Sequence, residues 1–197
     1  MRRLLSVTGL ILLAGCQSVS ENRVSVDYYS IKGNSTADLD REILRKGPKL
    51  TGGRHAVAVA RIKIIPKIRF KPGNRGCAIS SAKVTVDAKV TLPRWTGRAK
   101  AKGELAAAWD NMDAYTRLHE AVHVRIAFAF AERIEKQLKE LESGPDCADV
   151  RKRGTAIVDR ELETHHAMQQ KFDADEQKRI AGLVAKQRGS RMLKRGT

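Results

Sequence analysis

Features of a membrane-spanning protein, a repeat array or a cysteine zinc site are scarce in this sequence. The most apolar stretch, residues 4–13, is ten residues long and therefore too short to span a bilayer. Three cysteines occur in 197 residues, and none has a second cysteine at CxxC spacing. There is no internal repeat and no low-complexity segment. The sequence therefore predicts one domain with a core of its own.

The N-terminus indicates export. Arg2-Arg3 precede the apolar stretch, and Leu13-Ala14-Gly15-Cys16 resembles the lipobox of bacterial lipoproteins. By that resemblance Cys16 would be diacylated and become the first residue of the mature protein, while Gln17 favours transport to the outer membrane. The alternative is an ordinary secretory signal followed by an incidental cysteine. We expect a lipid-anchored protein of the bacterial envelope that faces the periplasm.

Acidic residues are in the minority, with 22 Asp and Glu against 38 Lys and Arg. Cations without any acid fill the end of the chain from Lys178, which predicts a solvated basic tail or one that lies against anionic headgroups. No nucleic-acid partner is expected, because this tail has no interleaved aromatic residue for base stacking. A periplasmic location also argues against a nucleic-acid partner. The predicted divisions are a signal peptide (1–15), a lipidated tether (16–22), one domain (23–181) and a basic tail (182–197).

With Cys16 lipidated, Cys77 and Cys147 remain as an even pair suited to one disulfide in an oxidising compartment. A disulfide would join the β-rich half of the chain to the loop after the motif helix. The alternative is a pair of zinc thiolates, which is less favoured because neither cysteine has a CxxC partner and periplasmic thiolates tend to be oxidised.

Hydrophobic periodicity predicts strands first and long helices afterwards. The expected strands cover residues 23–31, 55–65 with a continuation to 70 after Pro66, and 77–92. The expected helices cover residues 35–45, 103–142 and 147–181. This order predicts an α+β domain in which a small, mainly antiparallel sheet with one helix precedes two long helices.

The segment His119-Glu120-Ala121-Val122-His123 is an HExxH motif within the first long helix. Residues four apart lie on one face of a helix, so both imidazoles can bind one metal ion. Glu120 is placed to act as general base on the attacking water. Two core histidines bonded to backbone are the alternative, but burying two imidazoles without a charge partner is costly. The motif predicts a Zn²⁺ site with His119 and His123 as ligands and Glu120 as the catalytic residue.

A catalytic zinc site usually has three protein ligands, and the motif supplies two. The glycine and third histidine of metzincins are absent, since Ile126 and Ala129 occupy those positions. The third ligand is therefore expected from the second long helix, whose candidates are Glu161, Glu163, His165, His166, Asp173 and Glu176. We favour Asp173, with His165 or His166 as its hydrogen-bonding partner, a transition-state donor or a replacement ligand.

Several segments in a fixed order resemble a bacterial family described as predicted secreted zinc-dependent proteases, the domain of unknown function 922. The matching pieces are Tyr28-Tyr29-Ser30-Ile31-Lys32-Gly33, Gly47-Pro48, Gly76-Cys77, Leu92-Pro93-Arg94-Trp95, Trp109, the HExxH segment, Cys147 and Phe172-Asp173. The resemblance spans about residues 25–178. It implies that His119 and His123 bind zinc, that Glu120 is the base and that Cys77 pairs with Cys147.

The chain departs from that family pattern at one place. In the family, the aspartate matched by Asp173 is followed by a His-Gly pair, whereas this chain has Lys178-Arg179. If that histidine is the third ligand of the family, this chain uses Asp173 or Glu176 instead, or is inactive.

We thus expect a zincin-like domain with Zn²⁺ between the two long helices, acting on a peptide or protein substrate. A strand of the sheet would border the cleft and hold an extended peptide by main-chain pairing. Tyr115 or a histidine of the second helix would stabilise the oxyanion. The alternatives are an amidase that cleaves peptidoglycan peptides by the same chemistry, and a non-catalytic lipoprotein that binds peptidoglycan, lipid or a protein partner.

Overall fold

A computed structural model describes residues 22–50, 52–74 and 76–195, with side chains as far as residue 186. The predicted signal peptide and the lipidation site Cys16 lie outside these residues. The chain forms strand β1 (Arg23–Ile31), helix α1 (Thr36–Lys46), strands β2 (Val59–Gly73) and β3 (Gly76–Trp95), a 3₁₀ turn (Arg98–Lys100), and helices α2 (Gly103–Lys139) and α3 (Cys147–Arg195). This is the α+β arrangement that the sequence predicts.

The three strands form one mixed sheet in the order β1-β3-β2. β2 and β3 form a long antiparallel hairpin that closes at Gly73 opposite Gly76. β1 pairs parallel to β3, with Arg23 opposite Asp87. A parallel pair cannot be joined by a tight turn, and here α1 and β2 together make the connection. The longer ladder is antiparallel, as expected, and the parallel edge strand is the feature that strand patterning did not indicate.

The prediction for β2 was wrong at its start. The strand begins at Val59 and not at His55, because the preceding residues pair with the segment that follows α1. The Ala56 N–H donates to the Pro48 carbonyl, and the His55 ring lies 2.7 Å from the Gly47 carbonyl oxygen. These contacts hold residues 55–57 away from β3.

The predicted interruption at Pro66 is also wrong, since β2 runs straight through it. β2 is an edge strand, and Pro66 lies opposite Val84. The Val84 N–H points away from β2 and donates to the Glu135 carboxylate at 2.9 Å. The Pro66–Val84 pair therefore exchanges no backbone hydrogen bond between β2 and β3, and the missing N–H of Pro66 breaks none. Sheets accept proline at such positions of an edge strand.

The two long helices cover one face of the sheet because the strands alternate in polarity. Even-numbered residues of β2 and of the later part of β3 face the helices. Most odd-numbered residues of β2 face solvent, whereas Thr85, Pro93 and Trp95 of β3 are buried on the other side. The main core comprises Ala82, Val84, Val86, Ala88, Val90 and Leu92 from β3 and Val124, Ala127, Ala131, Ile134, Leu138 and Val158 from the helices. Each fully buried aliphatic side chain contributes about 1.5–3 kcal/mol, so this layer fixes how α2 lies on the sheet.

A second core cluster fixes α1 and the start of α2 at the other end of the sheet. It contains Ile31, Leu39, Ile43, Trp95 and Trp109. The two indole rings are 5.6 Å apart, and the Trp95 N–H donates to the Gly33 carbonyl. Ser35 caps α1 by accepting the Asp38 N–H.

The expected disulfide between Cys77 and Cys147 is present and joins β3 to the first residue of α3. Beside it, Cys77 and Gly144 exchange two backbone hydrogen bonds of 2.9 Å. This pairing draws the chain into an extended conformation, and α2 therefore ends at Lys139 and not at the predicted residue 142. α3 continues to Arg195, so residues 182–195 are helical, beyond the predicted helix end at 181. No helix in the described part of the chain has the length and hydrophobicity required to cross a bilayer.

Candidate metal centre

Helices α2 and α3 run antiparallel to each other, and their contacts change in character along their length. Near the disulfide, Gly154 of α3 lies against Leu138 of α2. Two turns further along α3 from this apolar contact, the facing side chains become polar or aromatic. At that end the histidines of the HExxH motif point from α2 towards α3.

Three donor atoms converge between the two helices. The Nε2 atoms of His119 and His123 are 3.1 Å apart, and Asp173 Oδ1 lies 3.2 Å from the first and 3.0 Å from the second. Asp173 comes from α3, so the triangle joins the two helices. Among the described residues, these three make up the group with metal-ligand geometry.

The triangle has the dimensions of a tripodal zinc site. Zn²⁺ binds His nitrogen and carboxylate oxygen at about 2.0–2.2 Å, and donor atoms ~3.1 Å apart are close enough for His119, His123 and Asp173 to hold one such ion together. The side chains of His119 and His123 are largely buried, whereas that of Asp173 is 52% exposed. Three protein donors with one open side match the ligand count of catalytic zinc sites. The residues present therefore fit the ion that the motif implies.

Gln169 determines which nitrogen of His123 can face a metal ion. Its amide nitrogen donates to the His123 carbonyl at 3.1 Å, which turns its amide oxygen towards His123 Nδ1, 2.5 Å away. His123 Nδ1 must then carry the proton and donate to this oxygen, and the Nε2 lone pair is left to face Asp173 and His119. The same amide nitrogen lies 2.8 Å from His165 Nε2. An outer partner that fixes the tautomer of a ligand histidine is a regular feature of metal sites.

His119 is held by ring contacts. Phe172 stacks on it with centroids 4.9 Å apart and lies edge-on to His123 at 5.0 Å. Burial lowers the pKa of His119, and the neighbouring His123 lowers it further, which favours the neutral imidazole that a metal ion requires. Its Nδ1 is buried and has no hydrogen-bond partner among the residues that the structure describes. His119 thus lacks the outer partner that Gln169 gives to His123.

Glu120 faces the sheet. It is 6% exposed, and burial raises the pKa of its carboxyl above the usual value. The main influences that oppose this rise are the neighbouring His123 and a hydrogen bond from the Ala60 backbone. Ala60 belongs to the edge strand β2, so the HExxH carboxylate is joined to the border of the sheet.

Three of the remaining ligand candidates face elsewhere. Glu161 is buried, but it forms an ion pair with Arg133 and accepts a hydrogen bond from Gln137. Glu163 and His166 are exposed on other faces of α3, and the His166 ring contacts only Gln170 of its own helix among the described hydrogen bonds. None of them reaches the two histidines of the motif.

Glu176 lies one turn beyond Asp173 and is bound by two neighbours. The Tyr115 hydroxyl donates to it at 2.8 Å, and Arg179 forms an ion pair with it. These contacts lower the pKa of Glu176 to about 2, the hydrogen bond from Arg179 being the largest cause. Tyr115, expected as an oxyanion donor, has its ring 6.0 Å from that of His119 and its hydroxyl engaged by Glu176.

The backbone of Ala60 was not identified from the sequence as a contributor to the site. Gln169 and Phe172 lie on the stripe of α3 whose polar middle indicates a helix that lines a metal site, but neither side chain was assigned a role from the sequence. Contact between Ala60 and Glu120 depends on how α2 crosses the sheet, and no local pattern encodes this.

A family model described as bacterial protein of unknown function (DUF922) matches residues 26–180. The chain belongs to the DUF922 family. The match covers every element from β1 into α3 and includes all residues of the triangle. No curated protein and no solved structure matches the chain. The family description supplies no activity, so function must be argued from the site.

Proposed function

We propose that this DUF922 protein is a zinc-dependent peptidase of the bacterial envelope. The observation that carries the proposal is the convergence of His119, His123 and Asp173 donors within 3.2 Å of one another. The adjacent Glu120 and the open side at Asp173 complete the set of groups that metal-assisted peptide hydrolysis requires.

Zn²⁺ in this position would lower the pKa of water to about 7 and polarise a peptide carbonyl. The Glu120 carboxylate would accept the proton of the attacking water and then deliver it to the leaving amine. Burial raises the pKa of Glu120, and this suits the first step because the carboxylate of a weaker acid is a stronger base. Gln169 would hold His123 in the required tautomer during turnover.

The border of the sheet offers a place for the substrate chain. β2 is an edge strand whose outer side is not paired with another strand. An extended peptide that pairs with this edge near Ala60 would pass close to Glu120. Main-chain pairing of this kind selects for extended chains more than for particular side chains, so we expect unfolded or flexible segments to be cut.

The envelope location rests on the N-terminal sequence. Arg2-Arg3, the apolar stretch and the lipobox-like Leu13–Cys16 support export and lipidation. Replacing Cys16 by serine should abolish the incorporation of labelled fatty acid into the protein. Equal labelling of C16S and the wild type would contradict a lipid anchor at this residue.

The activity is tested with a mixture of flexible peptides whose cleavage is followed by mass spectrometry. We expect cleavage by the zinc-loaded protein, and a fall of about 10²–10⁴-fold in Glu120→Gln with zinc content unchanged. Glu163→Gln, an exposed glutamate of α3, is the matched control and should cleave like the wild type. No cleavage above background would overturn the peptidase proposal and, if zinc is bound, favour a non-catalytic lipoprotein. Equal rates for Glu120→Gln and wild type would remove Glu120 from the mechanism.

A further inference from the structure

We propose that the uncovered face of the sheet binds an anionic lipid bilayer and so orients the domain with its metal centre away from the membrane. α2 and α3 cover one face of the sheet. On the other face α1 packs against Ile31 and Trp95, and the uncovered face is the part formed by β2 and the β3 residues paired with it, over which no described helix lies. The proposal concerns only this second face and does not depend on the peptidase activity.

The uncovered face is strongly basic. The odd-numbered residues of the strands point to it, as the strict alternation of exposure along β2 demonstrates. Its cations are Arg23, Arg61, Lys63, Lys67, Arg69, Lys71, Lys83 and Lys89. Its carboxylates are Asp27 and Asp87. Of the chain's net charge of +16, this one surface therefore holds +6.

Local ion pairs neutralise part of this charge. Lys89 contacts Asp27 at 2.7 Å, and Lys83 reaches Glu135 of α2 at 3.6 Å across the edge of β3. Asp87 lies opposite Lys63 on one side and Arg23 on the other, so one carboxylate serves two cations. Like charges also face each other in the hairpin, where Arg61 lies opposite Lys89. Such cross-strand pairs destabilise a sheet unless an anion lies close to them, as Asp27 does to Lys89.

The arrangement favours a membrane surface over a nucleic acid. Adjacent strands are about 4.8 Å apart and alternate residues along a strand about 6.7 Å apart, so the cations form a two-dimensional array that suits a plane of phosphates. A single-stranded nucleic acid would require stacking platforms. Of the two aromatic residues that the described strands place on this face, Trp95 is buried and Tyr29 donates its hydroxyl to the Val57 carbonyl. Near the centre of the face, Ile65 is 38% exposed and can enter the headgroup region.

The predicted lipid anchor would bring this face to the bilayer. Six residues separate Cys16 from Arg23, which is itself on the basic face. Even when fully extended, this tether spans about 25 Å, which is less than the length of β3. It therefore keeps the sheet close to the bilayer. α2 and α3 lie on the opposite face of the sheet. When the basic face lies on the bilayer, the triangle of His119, His123 and Asp173 is therefore open to the aqueous phase.

The test measures binding to vesicles of phosphatidylcholine with and without phosphatidylglycerol, by sedimentation. Every protein carries Cys16→Ser, so no acyl chain contributes, and the neutral vesicles measure any binding by residues 4–13. The face variant is Arg61→Gln/Lys63→Gln/Arg69→Gln. The matched control, Arg125→Gln/Lys152→Gln/Lys178→Gln, removes three exposed cations from the helices. Circular dichroism confirms that both variants are folded.

We expect the face variant to bind phosphatidylglycerol vesicles about 100-fold more weakly, since each cation at a membrane surface contributes about fivefold. The control should lose less than about fivefold. Equal losses in both variants would mean that the net charge and not this face attracts the bilayer, and would overturn the proposal. No preference of the parent protein for anionic vesicles would also overturn it, as would tighter binding to single-stranded DNA that the face variant loses in parallel.

Discussion

The two ends of the α2–α3 pair differ in almost every property, although the same two helices form both. At the disulfide end, Ile134, Leu138 and Val150 are fully buried, and a covalent bond ties α3 to the sheet. At the other end, imidazole, carboxylate and amide groups face one another, and Asp173 is half exposed.

The difference shows how a polar cluster can be kept open. Three donors about 3 Å apart gain little from one another in the absence of a cation, and burial of His119 Nδ1 without a partner is unfavourable. Packing at the apolar end fixes the distance between α2 and α3. Contacts among the polar side chains at the other end are therefore not required to hold the two helices together. If this division is correct, changes at the disulfide end should affect stability and leave metal binding alone, and changes at the polar end should do the reverse.

The largest effect is expected for His119→Ala. One of three ligands accounts for several kcal/mol of zinc binding, so affinity should fall by at least about 10³-fold while the thermal midpoint of the metal-free protein stays within a few degrees. Competition with a chelating dye measures the affinity. His166→Ala, an exposed histidine of α3, is the control and should bind zinc like the wild type. Equal loss in both variants would contradict the assignment of the site.

The next largest effect is expected for Cys77→Ser/Cys147→Ser. The disulfide closes a separation of 70 residues, and its removal should lower the free energy of unfolding by about 4 kcal/mol. Urea unfolding with and without reductant measures this loss, and reductant should have no effect on the double variant. Zinc affinity of the folded variant should change less than about threefold. A large loss of zinc affinity would mean that the two ends are not independent.

A smaller loss of stability is expected for Ile134→Ala. This side chain is fully buried in the main core, and the cavity left behind should cost about 3 kcal/mol. Urea unfolding again provides the measurement. Leu118→Ala, on the exposed side of the same helix, is the control and should cost less than about 1 kcal/mol. Similar losses for the two variants would show that α2 is not packed as described.

The smallest effect is expected for Gln169→Ala. Removing the amide leaves His123 free to exchange tautomers, which should weaken zinc binding about 10–100-fold without a change in unfolding free energy above about 1 kcal/mol. Gln170→Ala, whose amide faces the exposed His166, is the matched control. An unchanged zinc affinity in Gln169→Ala would mean that Gln169 does not support His123 as a metal ligand. A stability loss equal to that of Ile134→Ala would give it a structural role instead.

The sequence predicted those parts of the molecule that local patterns encode. The HExxH spacing placed His119 and His123 on one helical face, and alternation located the strands. Local spacing could not predict which carboxylate of α3 contacts the two histidines. Glu161, Asp173 and Glu176 all lie near one stripe of α3, and the register between two helices decides which of them faces His119.

The parallel pairing of β1 and the start of β2 were beyond local patterns for a related reason. A strand has the same alternation in either direction, so β1 carries no signal for its orientation. Residues 55–57 are of types that are common in strands. In the fold, however, the His55 ring and the Ala56 N–H contact the carbonyls of Gly47 and Pro48 and not β3. Competition for backbone hydrogen bonds between distant segments settled the start of β2.

The central claim is that His119, His123 and Asp173 are together the ligands of one zinc ion. Anomalous X-ray diffraction at the zinc absorption edge, from crystals of protein purified with zinc in the medium, tests it most directly. We predict a single strong peak about 2.0–2.2 Å from the two Nε2 atoms and one Asp173 oxygen, on the open side of the triangle. A peak at other residues, or well-ordered rings bonded to Asp173 with no peak between them, would contradict the claim.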